Sequence, residues 1–512
     1  MAELAIAEQH TVHEYLQALR TAGILTHSYV DEVTASLPIS CLSYDSREIE
    51  GTALFIVKGA HFEPRFLRAA IAQGAVAYVA ERALENVLTP AIIVSDIRLA
   101  IVVLGRLFYN QVTDDLLTVG ITGTKGKSTT AYFVRDIMRR WLASSGKPGP
   151  ALLSSIKNFD GGEEEESHLT TPEVLDLYRH FARAKAAGIK HVVMEVSSQA
   201  LKYGRVRDMR FAVAAFTNIS EDHISPIEHS DFEDYYTSKL KIFDAADVAV
   251  INADADLAER TISYARERCR VVTYGSREGA DVLCPSESIQ HTSEGTHFTV
   301  RCSAYGTSTW TITMPGLFNV SNALCAIAIC EQLGVPEEFV RSGLIAARVP
   351  GRMELFHSGD KSVAVIVDYA HNKLSYEALF DSLAHEYPNW PIIAVFGSTG
   401  GKALDRRVDL PSVASRYCAH IYITEEDNYS EPFASIAADI AAHTSVPYTI
   451  DDDREACIRA AIMDWPGRHV VALLGKGVET TRARGTQYVH MPTDAEYALR
   501  FLDEYDTAHK LM

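Results

Sequence analysis

Short, almost continuous apolar runs alternate along this chain with stretches whose apolar residues return every three to four positions. The first kind reads as strands buried on both faces and the second as amphipathic helices. Their alternation predicts an α/β fold built on mostly parallel sheets. Three blocks emerge. In the first, Ala53–Val57, Ala75–Ala80 and Ala91–Val94 read as strands around a helix near Phe66–Gln73. In the second, strands are expected at Leu116–Gly123, His191–Val196, Val213–Ile219 and Val248–Asp254. Between Val282 and Thr313 the pattern alternates, which predicts an antiparallel flap, and a helix follows over Val320–Leu333. The turn Val349-Pro350-Gly351 opens a third block with strands at Val363–Tyr369, Pro391–Gly397, His420–Thr424 and Val470–Gly475. The expected domains are residues 1–112, 113–348 and 349–512. Parallel sheets place ligands at the carboxyl ends of their strands, and most of the chemistry-bearing motifs fall there.

The segment Val119–Met138 runs from a buried strand through Gly123-Thr124-Lys125-Gly126-Lys127-Ser128-Thr129 into an amphipathic helix. Glycines let backbone N–H groups point inward at phosphate, and the helix N-terminus adds partial positive charge. Lys127 can reach a β- or γ-phosphate and the Ser128 hydroxyl can ligate Mg²⁺. The strict GxxxxGK[ST] spacing fails, because Ile121 stands at the first glycine position. Glu195 ends another strand, where a carboxylate suits Mg²⁺; taken alone it reads equally well as a solvated strand end. Asp222 and His223 follow a third strand, and Lys239 and Lys241 lie in a helical stretch where either would ordinarily be a surface lysine.

With 512 residues, 47% hydrophobic and 22% charged, the chain has room for two to four folded domains. Its net charge of −19 argues against nucleic-acid binding, although cations gathered locally still allow an anionic small molecule. Eight cysteines without a CxxC pair argue against a zinc site or a disulfide framework and suit a reducing cytoplasm. No apolar stretch approaches the ~20 residues that span a bilayer. With Glu3, Glu8 and no basic region, the first residues are not expected to form a secretory signal. The acidic run Gly161–Glu166 reads as a solvated loop.

Together the motifs resemble the Mur ligase family, ATP-dependent amino-acid ligases of peptidoglycan precursor synthesis. The resemblance rests on YDSR (Tyr44–Arg47), GTKGKST (Gly123–Thr129), TTPE (Thr170–Glu173), MEVSSQAL (Met194–Leu201) and TNISEDH (Thr217–His223). It continues through PGLFNVSNA (Pro315–Ala323), VPGRME (Val349–Glu354), DYAH (Asp368–His371) and GKGVET (Gly475–Thr480). It implies three domains: one for a UDP-linked substrate, a central P-loop ATPase-like domain, and a dinucleotide-binding-like sheet for the incoming amino acid. The DSR-type first domain, TTPE and the GKG-x-E ending resemble the members that extend UDP-N-acetylmuramoyl-L-alanyl-D-glutamate by its third residue.

The resemblance also implies roles. ATP and Mg²⁺ are the expected cofactors, and Lys127, Lys239 and His223 the expected catalytic residues. Ser128 and Glu195 would hold one Mg²⁺, with His223 and a carbamylated Lys239 serving a second. Besides Gly123–Thr129, nucleotide contacts would come from Asn319, Asn322, Arg352 and Asp368; Asn319 also suits a helix N-cap. Ser46 and His61 match the uridine side of the substrate, and Thr170, Thr171, Ser197 and Arg205 its muramoyl-peptide part. Arg406, Glu426, Asp427, Asn428, Tyr429, Gly475 and Glu479 complete the substrate set on the amino-acid side.

Two departures, Gln199 where the family more often has His and Val478 within GKGVE, leave those two residues without an inherited role. In Thr424–Pro432, Tyr429 stands where enzymes adding meso-diaminopimelate carry an arginine for the second carboxylate. The motif offers Glu425, Glu426 and Asp427 instead, which suits an ammonium side chain. L-lysine is therefore expected, ahead of L-ornithine and meso-diaminopimelate. A folylpolyglutamate-synthetase-like ligase lacks the UDP-binding domain, and a nucleotide-binding switch would not need Lys239, His223, Arg352 and Glu479 together. A cytoplasmic monomer is expected, with no nucleic-acid partner and no membrane insertion.

Overall fold

The computed structural model describes residues 9–59, 62–222, 224–225, 228–292 and 294–510. His61 and His223 lie outside the described residues. The chain packs as two units, Met1–Tyr274 with Ile327–Phe339, and Gly275–Ala326 with Val340–Met512.

The first unit holds two sheets. Strands β1 (Leu25–Ser28), β2 (Cys41–Ser43), β3 (Ala53–Ile56), β4 (Ala75–Ala80) and β5 (Ala91–Val94) form one, in the order β1-β5-β4-β3-β2. All its pairs are parallel except β1 with β5. Strand β3 is buried at every position, as its unbroken apolar run requires. The second sheet runs β13-β12-β11-β6-β10-β7-β8-β9. Its members are β6 (Leu117–Thr122), β7 (Ala151–Leu153), β8 (Lys157–Phe159), β9 (Glu165–Glu166), β10 (His191–Glu195), β11 (Phe211–Phe216), β12 (Ala246–Asn252) and β13 (Arg270–Gly275). Strands β6, β7, β10, β11, β12 and β13 pair in parallel, and β8 and β9 turn back antiparallel. Strand β6 is central, and helix α1 (Lys127–Ser144) leaves its carboxyl end.

The second unit begins with the expected flap: β14 (Val282–Leu283), β15 (Gln290–Thr292), β16 (Gly295–Cys302) and β17 (Gly306–Ile312), all antiparallel through β16. The alternating burial of β16 places Thr296, Phe298, Val300 and Cys302 inside. Helix α2 (Phe318–Gln332) follows, within two residues of the expected bounds, its part up to Ala326 in this unit and its part from Ile327 in the first. The last sheet comprises β18 (Glu354–His357), β19 (Val363–Asp368), β20 (Ile392–Phe396), β21 (Cys418–Ile423), β22 (Tyr448–Ile450) and β23 (His469–Leu474). Its order is β18-β19-β23-β20-β21-β22, with only β18 antiparallel. Helix α3 (Lys373–Glu386) covers one face, and a hairpin, β24 (Thr481–Arg484) and β25 (Gln487–His490), follows β23.

Candidate active site

Beyond β6 the chain turns at Gly123 (φ +143°), where an added Cβ would overlap the Thr217 hydroxyl. That close approach lets the turn lock onto the segment after β11. Thr124 N–H donates to Asn218 O (3.0 Å) and Lys125 N–H to Asn218 Oδ1 (2.8 Å). Asn218 Nδ2 and the Thr217 hydroxyl both donate back to Lys125 O, at 3.1 and 2.6 Å. Gly126, with φ +83°, caps α1. Lys127 Nζ folds over this frame, donating to Gly123 O (2.9 Å) and Thr124 O (3.1 Å).

Lys239, on the helix Phe232–Leu240, donates to the same Gly123 O at 2.9 Å and lies 4.5 Å above the Tyr235 ring centroid. Only 2% of it is exposed. Burial first, then the nearby positive charge of Lys127, pushes its amine far below the ordinary lysine range. The sequence alone would make it a surface lysine; the structure makes it a buried amine at the phosphate loop.

Glu195, at the end of β10, is buried beside this loop. Its Oε1 accepts from Ser155 N–H (2.9 Å) and the Ser155 hydroxyl (3.2 Å), while Ser155 Oγ lies 3.1 Å from Ser128 Oγ. A hydroxyl on the helix start and a buried carboxylate, bridged by a second hydroxyl, make an all-oxygen donor set suited to Mg²⁺. Sequence reasoning missed Ser155. It follows the short strand β7, so the rule that ligands gather at carboxyl ends of parallel strands would have found it.

Thr171 ties the same strand end to the next loop. Its hydroxyl donates to Glu195 O (2.9 Å) and accepts from Ser197 N–H (2.9 Å). Ser197 in turn caps the helix Ser198–Lys202 through Ala200 N–H. Thr170 is half-buried beside them, and Ser46 is buried in the turn after Asp45. Arg205, expected to grip a substrate anion, already donates to Thr171 O (3.1 Å) and pairs with Glu173 at 2.5 Å. Glu173 also pairs with Lys58 beyond β3, and Tyr44 donates to Asp176 (3.1 Å). The TTPE carboxylate thus joins the first sheet to the second, a role the motif did not reveal.

In the second unit, Asn319 Nδ2 donates to Pro315 O (2.6 Å) and Asn322 Nδ2 to Asn319 Oδ1 (2.9 Å). Arg352 stacks 4.7 Å from the Tyr369 ring centroid and donates to Gly351 O. Asp368 accepts from Met353 N–H and Ala370 N–H, both at 2.7 Å, which fixes the turn carrying Arg352.

The acidic segment after β21 corrects the charge argument. Glu425 is held by Arg482 (2.8 Å), by Arg484 and by Asn428 Nδ2 (2.6 Å). Asp427 accepts from Lys476 Nζ (3.1 Å) and Ala483 N–H (2.7 Å). Glu479 pairs with the same lysine and accepts from Tyr369 OH (2.9 Å). Tyr429, at φ +50°, carries Lys402 4.8 Å above its ring. The loop is therefore rich in cations that come from outside the motif. Glu426 alone among these carboxylates has no hydrogen bond or ion pair among the described residues. Burial pushes its carboxyl up to about 7. Gly475, at the end of β23, makes room for it, since a Cβ there would lie 2.9 Å from Glu426 Oε2.

Arg406 starts the helix Arg406–Ala414 half-buried, whereas the neighbouring Arg407 is buried and holds Glu431, Asp439 and Thr399 O. Buried polar atoms without a partner among the described residues include Ser398 Oγ and Thr399 Oγ1 after β20, Thr424 Oγ1 and Asn428 Oδ1 after β21, and Arg454 Nη1 after β22. Arg454 is otherwise fixed by Asp494 and Leu474 O. Each unmet group costs about 1–3 kcal/mol; Asn428, two residues beyond Glu426, and Arg454, whose charge acts on Glu426, mark a place for a polar ligand.

The Mur ligase middle domain matches residues 121–330, and the Mur ligase glutamate ligase domain residues 351–477. The chain is 37% identical to UDP-N-acetylmuramoyl-L-alanyl-D-glutamate–L-lysine ligase of Enterococcus faecalis, covering 88% of this chain and 89% of that one. A solved UDP-N-acetylmuramoyl-L-alanyl-D-glutamate–2,6-diaminopimelate ligase superposes with a TM-score of 0.67 at 22% identity, over 97% of this chain and 99% of that one. Folylpolyglutamate synthase of Mycobacterium tuberculosis superposes at 0.58 and 17% identity, over 74% of this chain and 92% of that one.

Proposed function

The chain belongs to the Mur ligase family, and from that premise we propose that it ligates L-lysine to the D-glutamate of UDP-N-acetylmuramoyl-L-alanyl-D-glutamate at the expense of ATP. The relative that names lysine supports the reaction, and the observation that carries the choice of amino acid is Glu426. It is a buried carboxylate with no direct ion pair or hydrogen bond among the described residues; Lys476 and Arg454 act on it only through their charge, and burial outweighs them. An incoming ammonium supplies the missing charge, and a second carboxylate would meet Glu426 as a like charge.

In this reading the substrate carboxylate attacks the γ-phosphate of ATP, ADP leaves, and the amine displaces phosphate from the resulting acyl phosphate. The phosphate loop binds the nucleotide through its backbone N–H groups and Lys127, which stabilises charge as it moves between oxygens. Ser128 and Glu195, kept in place by Ser155, would hold one Mg²⁺, and His223 with a carbamylated Lys239 would serve a second. When bound, these ions neutralise phosphate charge. The neutral amine of Lys239 is the form that adds CO₂ and releases a proton, giving a carbamate whose oxygens turn a buried donor into an acceptor. Asn319, Asn322, Arg352 and Asp368 would serve the nucleotide. Ser46, His61, Thr170, Thr171 and Ser197 would serve the UDP-linked substrate, with Arg205 held ready by Glu173. Asn428, Tyr429, Gly475, Glu479, Asp427 and Arg406 would frame the amino acid around Glu426.

The test is ADP release with UDP-N-acetylmuramoyl-L-alanyl-D-glutamate against a panel of L-lysine, L-ornithine, meso-diaminopimelate and L-glutamate. Turnover that requires the nucleotide substrate and favours L-lysine is expected. Preference for meso-diaminopimelate would overturn the assignment.

A further inference from the structure

Helix α3 ends at Glu386, and its last turn touches the segment that starts helix α2. Glu386 Oε1 accepts from Gly316 N–H at 2.6 Å. One turn earlier, the Ser382 hydroxyl accepts from Leu317 N–H at 3.3 Å. Leu317 N–H, just before Phe318, is among the donors that a helix start leaves without intrahelical partners, and Gly316 N–H lies one residue further out. A carboxylate at that end also complements the helix dipole. The segment that enters α2 is therefore held by α3, which lies within the 351–477 family match, while the start of α2 lies within the 121–330 match.

The contact is built rather than incidental. Glu386 and Ser382 are 8% and 3% exposed. Glu386 Oε2 has no partner among the described residues, and burial pushes the carboxyl up to about 7. Such a burial is unfavourable by itself and persists only where the surrounding fold holds it. The turn so gripped is also internally braced. Asn319 N–H donates to Gly316 O (2.8 Å), and the Asn319 side chain to Pro315 O (2.6 Å). Moving Gly316 therefore moves Asn319, and with it Asn322.

We propose that Glu386, assisted by Ser382, is a positioning residue that sets the Pro315–Asn322 turn from the third sheet's helix and thereby tunes nucleotide affinity. The proposal rests on the reading of Asn319 and Asn322 as nucleotide contacts. It adds that their placement depends on a carboxylate 64–67 residues further along the chain.

Calorimetry of Mg²⁺–ADP binding to the full chain tests it without requiring turnover. Glu386→Ala should weaken ADP binding about tenfold or more, Ser382→Ala severalfold, and Glu386→Gln less than threefold, because the amide oxygen still accepts from Gly316. In steady state the alanine variant should raise KM for ATP while leaving KM for the amino acid within twofold. If wild type binds ADP and Glu386→Ala binds it equally well, the proposal is wrong. Equal losses in the Gln and Ala variants would show that packing, not the acceptor, matters, and would also overturn it. If wild type itself binds no ADP, the nucleotide reading fails first. Should Glu386→Ala not fold, Ser382→Ala decides by the same affinities.

Discussion

Replacing Glu426 with Gln separates stability from function, because the same charge acts on them in opposite directions. In the free protein, burial lifts the carboxyl from 4.5 to about 7. A group raised in the folded state contributes stability that is complete below the unfolded value and is lost as pH rises through the folded one. At pH 8 the ionised form therefore costs up to about 3 kcal/mol relative to pH 4. Glu426→Gln removes that titration. The stability of the variant relative to wild type should thus rise between pH 5 and pH 8 by about 1–3 kcal/mol, read as a pH-dependent difference in unfolding midpoint. Lysine binding should change the other way. Removing one partner of a buried charge pair costs about 2–5 kcal/mol, which corresponds to a KM for lysine raised at least ~30-fold. Wild-type KM for lysine should also climb as pH falls below 7, since a protonated Glu426 no longer attracts the ammonium, and the Gln variant should lack this slope. A KM for lysine unchanged in the variant, or a wild-type KM that is flat from pH 6 to pH 8, would refute the reasoning.

Three further outcomes are expected. Lys127→Ala should lower kcat by ~10²–10³, the usual effect of removing one preorganised charge contact from a transition state, with an unchanged circular dichroism spectrum. Lys239→Ala should be nearly inactive and partly rescued by acetate, which returns two oxygens to the site; bicarbonate depletion should slow the wild type but not the variant. Glu425→Gln frees Arg482 and Arg484 to receive another carboxylate, so the ratio of kcat/KM for L-lysine over meso-diaminopimelate should fall about tenfold or more, and an unchanged ratio would count against the cation cluster as a specificity element.

Local features were legible in the sequence, whereas features that depend on distant partners were not. The strands of all three sheets that carry ligand-side ends follow from unbroken apolar runs such as Val363–Asp368, and the phosphate loop follows from glycines between a strand and a helix. Short or exposed strands escaped: β9 is exposed at both residues, and β1 alternates too weakly to declare a face. The acidic trio looked uncompensated because the text around it holds no cation. Lys476, Arg482 and Arg484 arrive from the end of β23, which β20 separates from β21, and from the following hairpin, which bridges to Tyr429. Glu173 and Ser155 escaped for the same reason, since Lys58, Arg205 and Glu195 reach them across strands.

The partners chosen by each cation also separate those poised for a phosphate from those that hold the fold. Lys127 and Lys239 both rest on the carbonyl of Gly123. A neutral carbonyl is a weaker partner for an ammonium than a carboxylate or a phosphate, because charge-assisted bonds are roughly twice as strong. Lys127 can therefore exchange that oxygen for an anionic one at a gain, whereas burial keeps the Lys239 amine far below the ordinary lysine range and sets it apart from the cations. Arg205, Lys58 and Lys476 rest on carboxylates, Glu173 for the first two and Asp427 with Glu479 for the third. For them a ligand anion gains only if it joins the existing pair or displaces a carboxylate that finds another cation. Arg205 can meet the first condition, because its guanidinium has five donors and two partners leave some over. Lys476, 1% exposed and paired with Asp427 and Glu479, cannot, and its charge acts on Glu426 without a direct ion pair. The selectivity of the site then lies less in how many acids the loop contains than in which one the fold leaves without a direct ion pair.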